Sequence, residues 1–353
     1  MLQTSPKNDK GMKLSGLSNN TSFSLALIIL ALFLITTFFT DNFMSTYNMT
    51  NLMKQGAIVG VLAVAQTFII ITGGIDISCG AISGLACMVL AILQRDFTAM
   101  PVPLTILAAL LVGVLAGFFN GLVIYQFRIP PMIATLGSAT IIRGITKIIS
   151  NALTVSGLNE TLLRLGDATI FGLIPLLAIL WIVVAIIIFL VLKYLIFGRN
   201  LYILGSGEDV ARLSGIDVRK LTISAYTLAG LLYGIAGIML AARVQSALPT
   251  GGDGYEMNAI AAAVIGGASL AGGKGSILGT ILGTVLMVLI NNAGVQFGLN
   301  THILEITSGV LILFAVGFDM FRNKRLQLFA KQERAKTKKL NRQAKKESEG
   351  ETQ

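Results

Sequence analysis

Residues 172–192 read GLIPLLAILWIVVAIIIFLVL, a run of 21 residues that contains no charged side chain. About 20 consecutive apolar residues are enough for a helix to cross the hydrocarbon core of a bilayer. A soluble helix of this length would need a polar face, and this stretch has none. The stretch therefore predicts a membrane-spanning helix, and we assign the apolar segment to residues 172–197.

Similar apolar segments recur along the chain. Only 12% of the 353 residues are charged, against about 25% in an ordinary soluble domain. We predict an all-α fold, a polytopic membrane helical bundle with about ten transmembrane segments. The fifth and eighth segments are candidate half-helices, because one opens on two prolines and contains two cations and the other is unusually short. The segments are residues 24–40, 56–73, 77–94, 102–127, 131–150, 172–197, 220–243, 256–270, 276–293 and 302–320.

The distribution of positive charge predicts the orientation of the bundle. Lys and Arg collect on the cytoplasmic side of membrane proteins, and eleven of them lie from Arg322 to Gln353 with only four Glu. Ten spans would place both termini in the cytoplasm. We predict a cytoplasmic N-terminal segment at residues 1–23, a transmembrane domain at 24–320 and a basic cytoplasmic tail at 321–353. No aromatic residue follows Phe329 to stack on bases, so we expect the tail to meet anionic lipid and not nucleic acid.

The chain offers no catalytic centre and no metal site. Cys79 and Cys87 lie in one apolar run and are expected to be buried. The single histidine, His302, supplies neither a set of metal ligands nor a catalytic triad. The stretch from Ala268 to Gly275 fails as a phosphate-binding loop, because Ala268 replaces the first glycine and Gly275 the Mg-binding hydroxyl residue. We therefore predict no catalytic residue, metal or cofactor, and the chain cannot be its own ATPase.

Small residues predict close packing inside the bundle. Two of the repeated glycine spacings are Gly113-x3-Gly117-x3-Gly121 and Gly230-x3-Gly234, which let helix backbones approach each other. The stretch GGIDISCG at 73–80 also resembles GGASLAGG at 266–273. Internal repeats are common in transporters, so we expect the two halves of the chain to be related.

A polar stretch at residues 198–220 interrupts the apolar pattern. Glu208 and Arg212 are four residues apart, which supports a short helix, and Gly215 is placed to cap it. Val210 and Leu213 could offer apolar contacts to a partner protein on the cytoplasmic face. The alternative interpretation is an ordinary connecting loop.

Polar groups in or beside the apolar segments are candidates for a translocation pathway, because ionisable groups at membrane depth are usually functional. Asp76 follows a Gly-Gly turn, so helix capping is favoured over substrate contact there. The asparagines could instead hydrogen-bond between helices. The candidate pathway residues are Asp76, Asn120, Arg143, Asn258, Asn291 and Asn292.

Several ordered motifs resemble one known family over about residues 50–320, the permease subunits of bacterial ABC importers for ribose and related monosaccharides. Three positions depart from the family's usual pattern: Gly207 stands in place of Asn, Cys79 in place of Val and Asn258 in place of Asp. The motifs are GGIDIS at 73–78, PMIATLG at 131–137, GRNLY at 198–202, ARLSGI at 211–216, GYEMNAIA at 254–261, VIGGASLAGGKG at 264–275 and the pair Asn291-Asn292.

The resemblance implies a non-catalytic, multi-pass permease of the bacterial inner membrane that forms the pathway for a ribose-like pentose, a hexose or a polyol. Its partners would be a cytoplasmic ATP-binding subunit, a second permease copy, identical or different, and an extracytoplasmic sugar-binding protein. The polar stretch would contain the coupling helix that docks on the ATPase. The candidate coupling residues are then Glu208, Asp209, Val210, Ala211, Arg212, Leu213, Ser214 and Gly215.

Two alternatives remain open at this point. The cargo could be branched-chain amino acids or nucleosides, which relatives of this fold carry. The chain could also be an ATPase-independent secondary transporter or channel, although it lacks a series of membrane acids for ion coupling. A membrane enzyme is a more remote alternative, since there is one histidine and no credible nucleophile.

Overall fold

The computed structural model describes residues 21–300, 302–311, 313, 314, 316, 317, 320 and 321. The predicted basic tail beyond residue 321 and the N-terminal segment up to residue 20 lie outside these residues. The helices are α1 Thr21–Phe39, α2 Thr46–Ile71, α3 Cys79–Asp96, α4 Val102–Phe127, α5 Pro131–Ile149, α6 Glu160–Asp167, α7 Leu176–Tyr194, α8 Ile196–Ser206, α9 Glu208–Leu213, α10 Val218–Val244, α11 Tyr255–Ile265, α12 Ile277–Gln296 and α13 His302–Leu311. Strands β1 Thr169–Ile170 and β2 Ile174–Pro175 form a small antiparallel hairpin.

The predicted all-α membrane bundle is confirmed. Among the described residues, eight helices are long and apolar enough to cross a membrane, and α11 and α13 are two shorter apolar helices. Of the two candidate half-helices, α11 is short, with 11 residues, whereas α5 is continuous over 19 residues. Helix α5 tolerates its two prolines because Pro130 is its N-cap and Pro131 its first residue, where no backbone N–H is needed for helical hydrogen bonding.

Helices α2, α3 and α10 form the centre of the bundle, and α1, α4, α5 and α7 lie at its periphery. The most apolar part of α2 is 89% buried, whereas that of α1 is 11% buried. The peripheral helices expose many large apolar side chains, including Ile182, Ile186 and Leu190 on α7. Such surfaces are expected where a helix faces lipid, because lipid tails are as apolar as the side chains.

The predicted glycine packing joins α4 to α10. A Cβ atom added to Gly113 would meet the carbonyl oxygen of Gly230, and one added to Gly117 would meet the carbonyl oxygen of Tyr226. Any larger residue at these positions would force the two helices apart. The glycine spacing therefore holds a peripheral helix against the centre of the bundle.

Two non-helical breaks interrupt the bundle, at residues 72–78 between α2 and α3 and at 266–276 between α11 and α12. They coincide with the two similar sequence stretches, and each is flanked by apolar helices on both sides. Irregular backbone inside a membrane protein is tolerated only where protein or a water-filled cavity covers it. Both breaks are covered here. Gly272 of the second break contacts Gly73 of the first and Gly205 of α8, and the first break also bonds to Tyr233 of α10 and Thr135 of α5.

The two ends of the bundle can be named from helix α7. It begins directly after the β1–β2 hairpin and ends before α8 and α9, so the hairpin and α9 lie at opposite ends of a spanning helix. We call these the hairpin end and the α9 end. Helix α2 runs from the hairpin end, where Lys54 pairs with Asp167, to the α9 end, where Ile71 contacts α8.

Candidate functional site

The predicted short helix is present as α9, directly after α8. Gly207 separates the two helices with φ 151° and ψ 137°, a region of backbone conformation that is essentially open to glycine alone. This geometry suits the glycine of this chain, at a position where the resembled family commonly has asparagine. Asp217 caps the following helix, α10, and the backbone N–H of Lys220 lowers the pKa of its carboxyl group.

The two ends of α9 are stabilised as the sequence predicts. Arg212 and Glu208 form an ion pair, with 2.6 Å between Nη2 and Oε1. Gly215 has φ 75°, and the N–H of Ile216 donates to the carbonyl oxygen of Ala211 at 3.0 Å. These are features of a Schellman motif, which satisfies the last carbonyl groups of a helix. Helix α9 is therefore a defined structural element and not an irregular loop.

Helix α9 presents an apolar surface away from the bundle. The side chains of Leu213 and Val210 are 89% and 49% exposed, while Ala211 is fully buried against the rest of the protein. The guanidinium of Arg212 faces Glu208 and the end of α4, and the hydrogen bonds that it donates, first to Glu208 and then to Tyr125, raise its pKa. One face of α9 is therefore fixed to the bundle, and the other is available to a partner.

A cavity of about 720 Å³ lies behind α9. It reaches from Glu208 and Arg212 to the first break at Gly73-Gly74 and to Tyr226 of α10. The hydroxyl of Tyr226 lies against Gly74, where a Cβ atom would collide with it. We call this space the α9-end cavity; it connects the short helix to the first break without an intervening layer of side chains.

The first break is anchored by Asp76. Its Oδ1 accepts hydrogen bonds from the backbone N–H of Ser78 at 2.8 Å and from the hydroxyl of Ser78 at 2.5 Å. Its Oδ2 accepts a hydrogen bond from the hydroxyl of Tyr233 at 3.1 Å, and the amide of Asn120 donates to the Ser78 hydroxyl at 2.8 Å. Asp76 and Asn120, two of the predicted pathway residues, thus meet through Ser78 at the start of α3, and Asp76 is fully buried there.

Arg143 holds α5 to the start of α11. Its guanidinium pairs with Asp253 at 3.0 Å and with Glu256 at 2.8 Å. Glu256 is 7% exposed, and its second carboxylate oxygen occupies the space that a Cβ atom on Gly80 would need. Arg143 is therefore the cation that balances a buried carboxylate, a role that the sequence did not indicate.

The three remaining predicted residues line a second cavity, of about 600 Å³, near the hairpin end. Asn258, Asn291 and Asn292 lie there together with Asp253. The lining is rich in amide, hydroxyl and carboxylate groups, which can donate and accept hydrogen bonds. We call this space the hairpin-end cavity; its other polar lining residues are Gln55, Glu305 and Ser308.

Two of these asparagines are already bonded within the chain. The amide groups of Asn292 and Asn48 exchange hydrogen bonds at 2.8 Å and 3.1 Å, and Ser308 donates to Asn291 at 3.2 Å. The side chain of Asn258 makes no hydrogen bond to any of the described residues. Among the described residues, Asn258 and Gln55 are therefore the amide side chains of this cavity that have their hydrogen-bonding capacity free for a substrate.

Sequence reasoning missed Tyr233, Ser78, Asp253 and Glu256. Glu256 carried a signal, since it is a carboxylate at the edge of an apolar segment and inside a quoted motif. Ser78 carried one as well, since it closes the quoted motif GGIDIS two residues after Asp76. Tyr233 carried none, because hydroxyl-bearing residues are common in membrane helices and only the fold brings it to Asp76. The sequence likewise gave no sign that Asp253, a loop residue, pairs with Arg143.

Comparisons with known proteins identify the family. The family described as branched-chain amino acid transport system / permease component matches residues 48–316. The ribose import permease protein of Bacillus subtilis is 36% identical over 297 residues, which is 84% of this chain and 91% of that protein. The D-allose transport system permease protein of Escherichia coli is 34% identical over 303 residues, covering 86% of this chain and 92% of that protein.

A third relative is the autoinducer 2 import system permease protein of Escherichia coli, which is 31% identical over 323 residues, covering 89% of this chain and 93% of that protein. No solved structure matches the chain. The matched region contains both breaks, both cavities and α9, so the similarity extends over all parts of the site described above. The chain is thus a multi-pass membrane protein that belongs to the family of permease components of transport systems.

Proposed function

We propose that the chain is the non-catalytic permease subunit of an ATP-driven importer and forms the pathway for a monosaccharide, such as a ribose-like pentose, a hexose or a polyol. A separate cytoplasmic subunit hydrolyses ATP, a second permease copy completes the pathway, and an extracytoplasmic binding protein delivers the sugar. The protein lies in the bacterial inner membrane with the α9 end and both termini in the cytoplasm, so its domains are residues 1–23, 24–320 and 321–353.

The observation that carries the proposal is the exposed apolar surface of α9 next to the α9-end cavity, which opens to the surface and reaches the first break. A free connecting loop has no reason to expose Leu213 and Val210 on a helix that is capped at its end, whereas a groove on an ATPase can bury them. When the ATPase closes on ATP, it would displace α9 and with it the first break. An energy-coupled permease requires an element that can adopt two positions and that connects the surface bound by the ATPase to the pathway for the cargo.

The proposed cargo follows from the hairpin-end cavity and from the named relatives. A neutral sugar has many hydroxyl groups, and amides and carboxylates can bond to these in both directions. We assign Asn258, Asn291 and Asn292 to this outer part of the pathway. Arg143 would fix Asp253 at the edge of this cavity, and Asp76 and Asn120 would hold the first break. Of the six predicted pathway residues, only the three asparagines would therefore contact the sugar directly.

A second candidate cargo is a branched-chain amino acid, because the description of the matching family names that class of transport system. Such a cargo carries an ammonium and a carboxylate, which need charged partners on the pathway. Asp253 and Glu305 could pair with the ammonium, but Arg143, which pairs with Asp253, is already engaged by two carboxylates and is not free for the carboxylate of the cargo. The amide-rich lining favours a neutral cargo.

Transport by reconstituted liposomes tests both parts of the proposal. The permease, its ATP-binding subunit and its binding protein are reconstituted together, and uptake of labelled ribose is measured with and without ATP. We expect uptake only when all components and ATP are present, with inhibition by other monosaccharides and not by leucine. Uptake by the permease alone would exclude the ATP-driven importer. If leucine inhibited the uptake and no other monosaccharide did, a monosaccharide would be excluded as the cargo.

A further inference from the structure

The tip of the β1–β2 hairpin has an unusual backbone. Phe171 has φ 54° and Gly172 has φ 70°, and the N–H of Leu173 donates to the carbonyl oxygen of Ile170 at 3.2 Å. Two central residues at positive φ are typical of a type I′ turn, where Asn, Asp or Gly is strongly preferred at the first position. A bulky aromatic residue in this conformation is an outlier that costs free energy.

The Phe171 side chain gains nothing from the rest of the protein in return. It is 96% exposed, the highest exposure among the large apolar side chains that the structure describes. Its neighbours Ile170, Leu173 and Ile174 are exposed as well, each by more than 40%, so the tip forms a small apolar patch. A strained and fully exposed phenylalanine indicates that its contact lies outside this chain.

The surface next to the hairpin points to the identity of that contact. Ile174 of β2 lines an apolar groove of about 410 Å³ together with Trp181, Ile182 and Val183 of the spanning helix α7 and with Met53 of α2. The hairpin surface is therefore continuous with a membrane-facing surface. Apolar side chains such as Phe, Trp and Leu are the ones that bury at the boundary between headgroups and acyl chains when a protein surface lies at the membrane interface.

We propose that the hairpin is a membrane-interface anchor in which Phe171 inserts into the headgroup boundary of the leaflet at the hairpin end, and that a lipid surface is its partner. The anchor would fix the start of α7 at a defined depth. Helix α7 leads directly to α8 and α9. If its hairpin end is held in the membrane, α7 stays in place while the ATPase displaces α9. The proposal concerns lipid contact and does not depend on the identity of the transported cargo.

Site-directed labelling of the full chain in phospholipid nanodiscs tests this. Cys79 and Cys87 are both buried, so a cysteine introduced by Phe171→Cys can be labelled selectively with an environment-sensitive maleimide fluorophore. Thr161→Cys on α6 is the matched control, since Thr161 is exposed at the same end of the bundle. We expect a blue-shifted emission from the label at 171 and quenching by lipids that carry a doxyl group high on the acyl chain, but neither effect at 161.

A second variant separates an anchor from a tip that merely lies near lipid. Asn suits positive φ, so Phe171→Asn should preserve the hairpin while removing the apolar group. A fluorophore on Leu173→Cys should then lose its quenching by doxyl lipid, and Phe171→Trp should retain it. Equal emission at 171 and 161 would overturn the proposal. A label at 171 that responds only to the added binding protein would overturn it too, in favour of a protein contact.

Discussion

The backbone N–H of Gly273 donates a hydrogen bond of 2.8 Å to the carbonyl oxygen of Ile71. Ile71 is the last residue of α2, directly before the first break, and Gly273 lies in the break between α11 and α12, so this bond joins the end of α2 to the second break. The two breaks also touch, because a Cβ atom on Gly272 would meet the backbone of Gly73. Gly205 of α8 packs against both groups, because a Cβ atom at Gly205 would meet the Ile71 oxygen and the Gly273 nitrogen. A displacement of α8 and α9 would therefore reach both breaks through direct backbone contact.

Tyr202→Phe should weaken this connection without disturbing the packing. The Tyr202 hydroxyl donates to the carbonyl oxygen of Gly275 at 3.0 Å, and the loss of one such hydrogen bond costs about 0.5–1.5 kcal/mol. We expect the ATPase rate of the reconstituted complex to respond less to the loaded binding protein, while the unfolding temperature of the permease changes little. Tyr47→Phe, at an exposed tyrosine of the hairpin end, should change neither quantity.

Gly205→Ala should be much more damaging. The new methyl group would meet backbone atoms of Ile71 and Gly273, which cannot rotate away as a side chain could. Overpacking of this kind costs about 1–3 kcal/mol or more. We expect a lower unfolding temperature in detergent and a loss of ATP-driven uptake. Gly137→Ala on α5 is the control, since no atom lies near its added methyl group; equal stability of the two variants would refute the close contact.

Leu213→Asp should abolish association with the ATP-binding subunit. The side chain is 89% exposed on α9, so the substitution leaves the fold of the isolated permease intact and places a charge where an apolar contact is proposed. Co-purification of the two subunits measures the effect. Leu153→Asp, at a leucine that is 67% exposed beyond the end of α5 at the hairpin end, should not affect co-purification. Retained association of the Leu213 variant would argue against α9 as the docking helix.

The bundle and α9 could be predicted because their signals are local. Uncharged runs such as residues 172–192 predict spans from composition alone, and the spacing of Glu208, Arg212 and Gly215 predicts a short capped helix. The continuous α5 was harder to predict, since Pro131 is compatible with both a helix start and a break. The structure shows that Pro131 is the first residue of the helix, so it starts α5 and does not break it.

The contacts between distant segments could not be predicted. The meeting of Asp76 with Tyr233 and of Arg143 with Glu256 depends on the way α3, α5, α10 and α11 pack, and no residue pattern in one segment encodes it. Polar residues at membrane depth indicate that a partner exists, because a lone charge there is too costly. They do not indicate which residue that partner is. The sequence therefore points to Asp76 and Arg143 but not to Tyr233 and Glu256.

Arg143→Gln should destabilise the permease strongly. Removing one partner of a fully buried ion pair costs about 3–5 kcal/mol, because the other charge is left uncompensated. The Arg143 side chain is 33% exposed, so the cost here should lie below that range. Here the stranded group is Glu256, whose side chain is 9% exposed. We expect the double variant Arg143→Gln, Glu256→Gln to unfold at a higher temperature than Arg143→Gln alone. Asp253→Asn should be mild, since the Asp253 side chain is 45% exposed; additive effects of the Arg143 and Glu256 substitutions would contradict this pairing.

Asn258→Ala and Asn292→Ala should separate the recognition of substrate from the stability of the fold. The Asn258 side chain has no partner among the described residues, so its loss should leave the unfolding temperature unchanged. If it bonds to the sugar in the hairpin-end cavity, the loss of about 1 kcal/mol should raise the half-saturating concentration of sugar-loaded binding protein, or lower the uptake rate, about 2- to 10-fold.

Asn292→Ala should instead lower the unfolding temperature, because it leaves the buried amide of Asn48 without its reciprocal hydrogen bonds. Unchanged uptake kinetics for the Asn258 variant would remove this cavity from the proposed pathway.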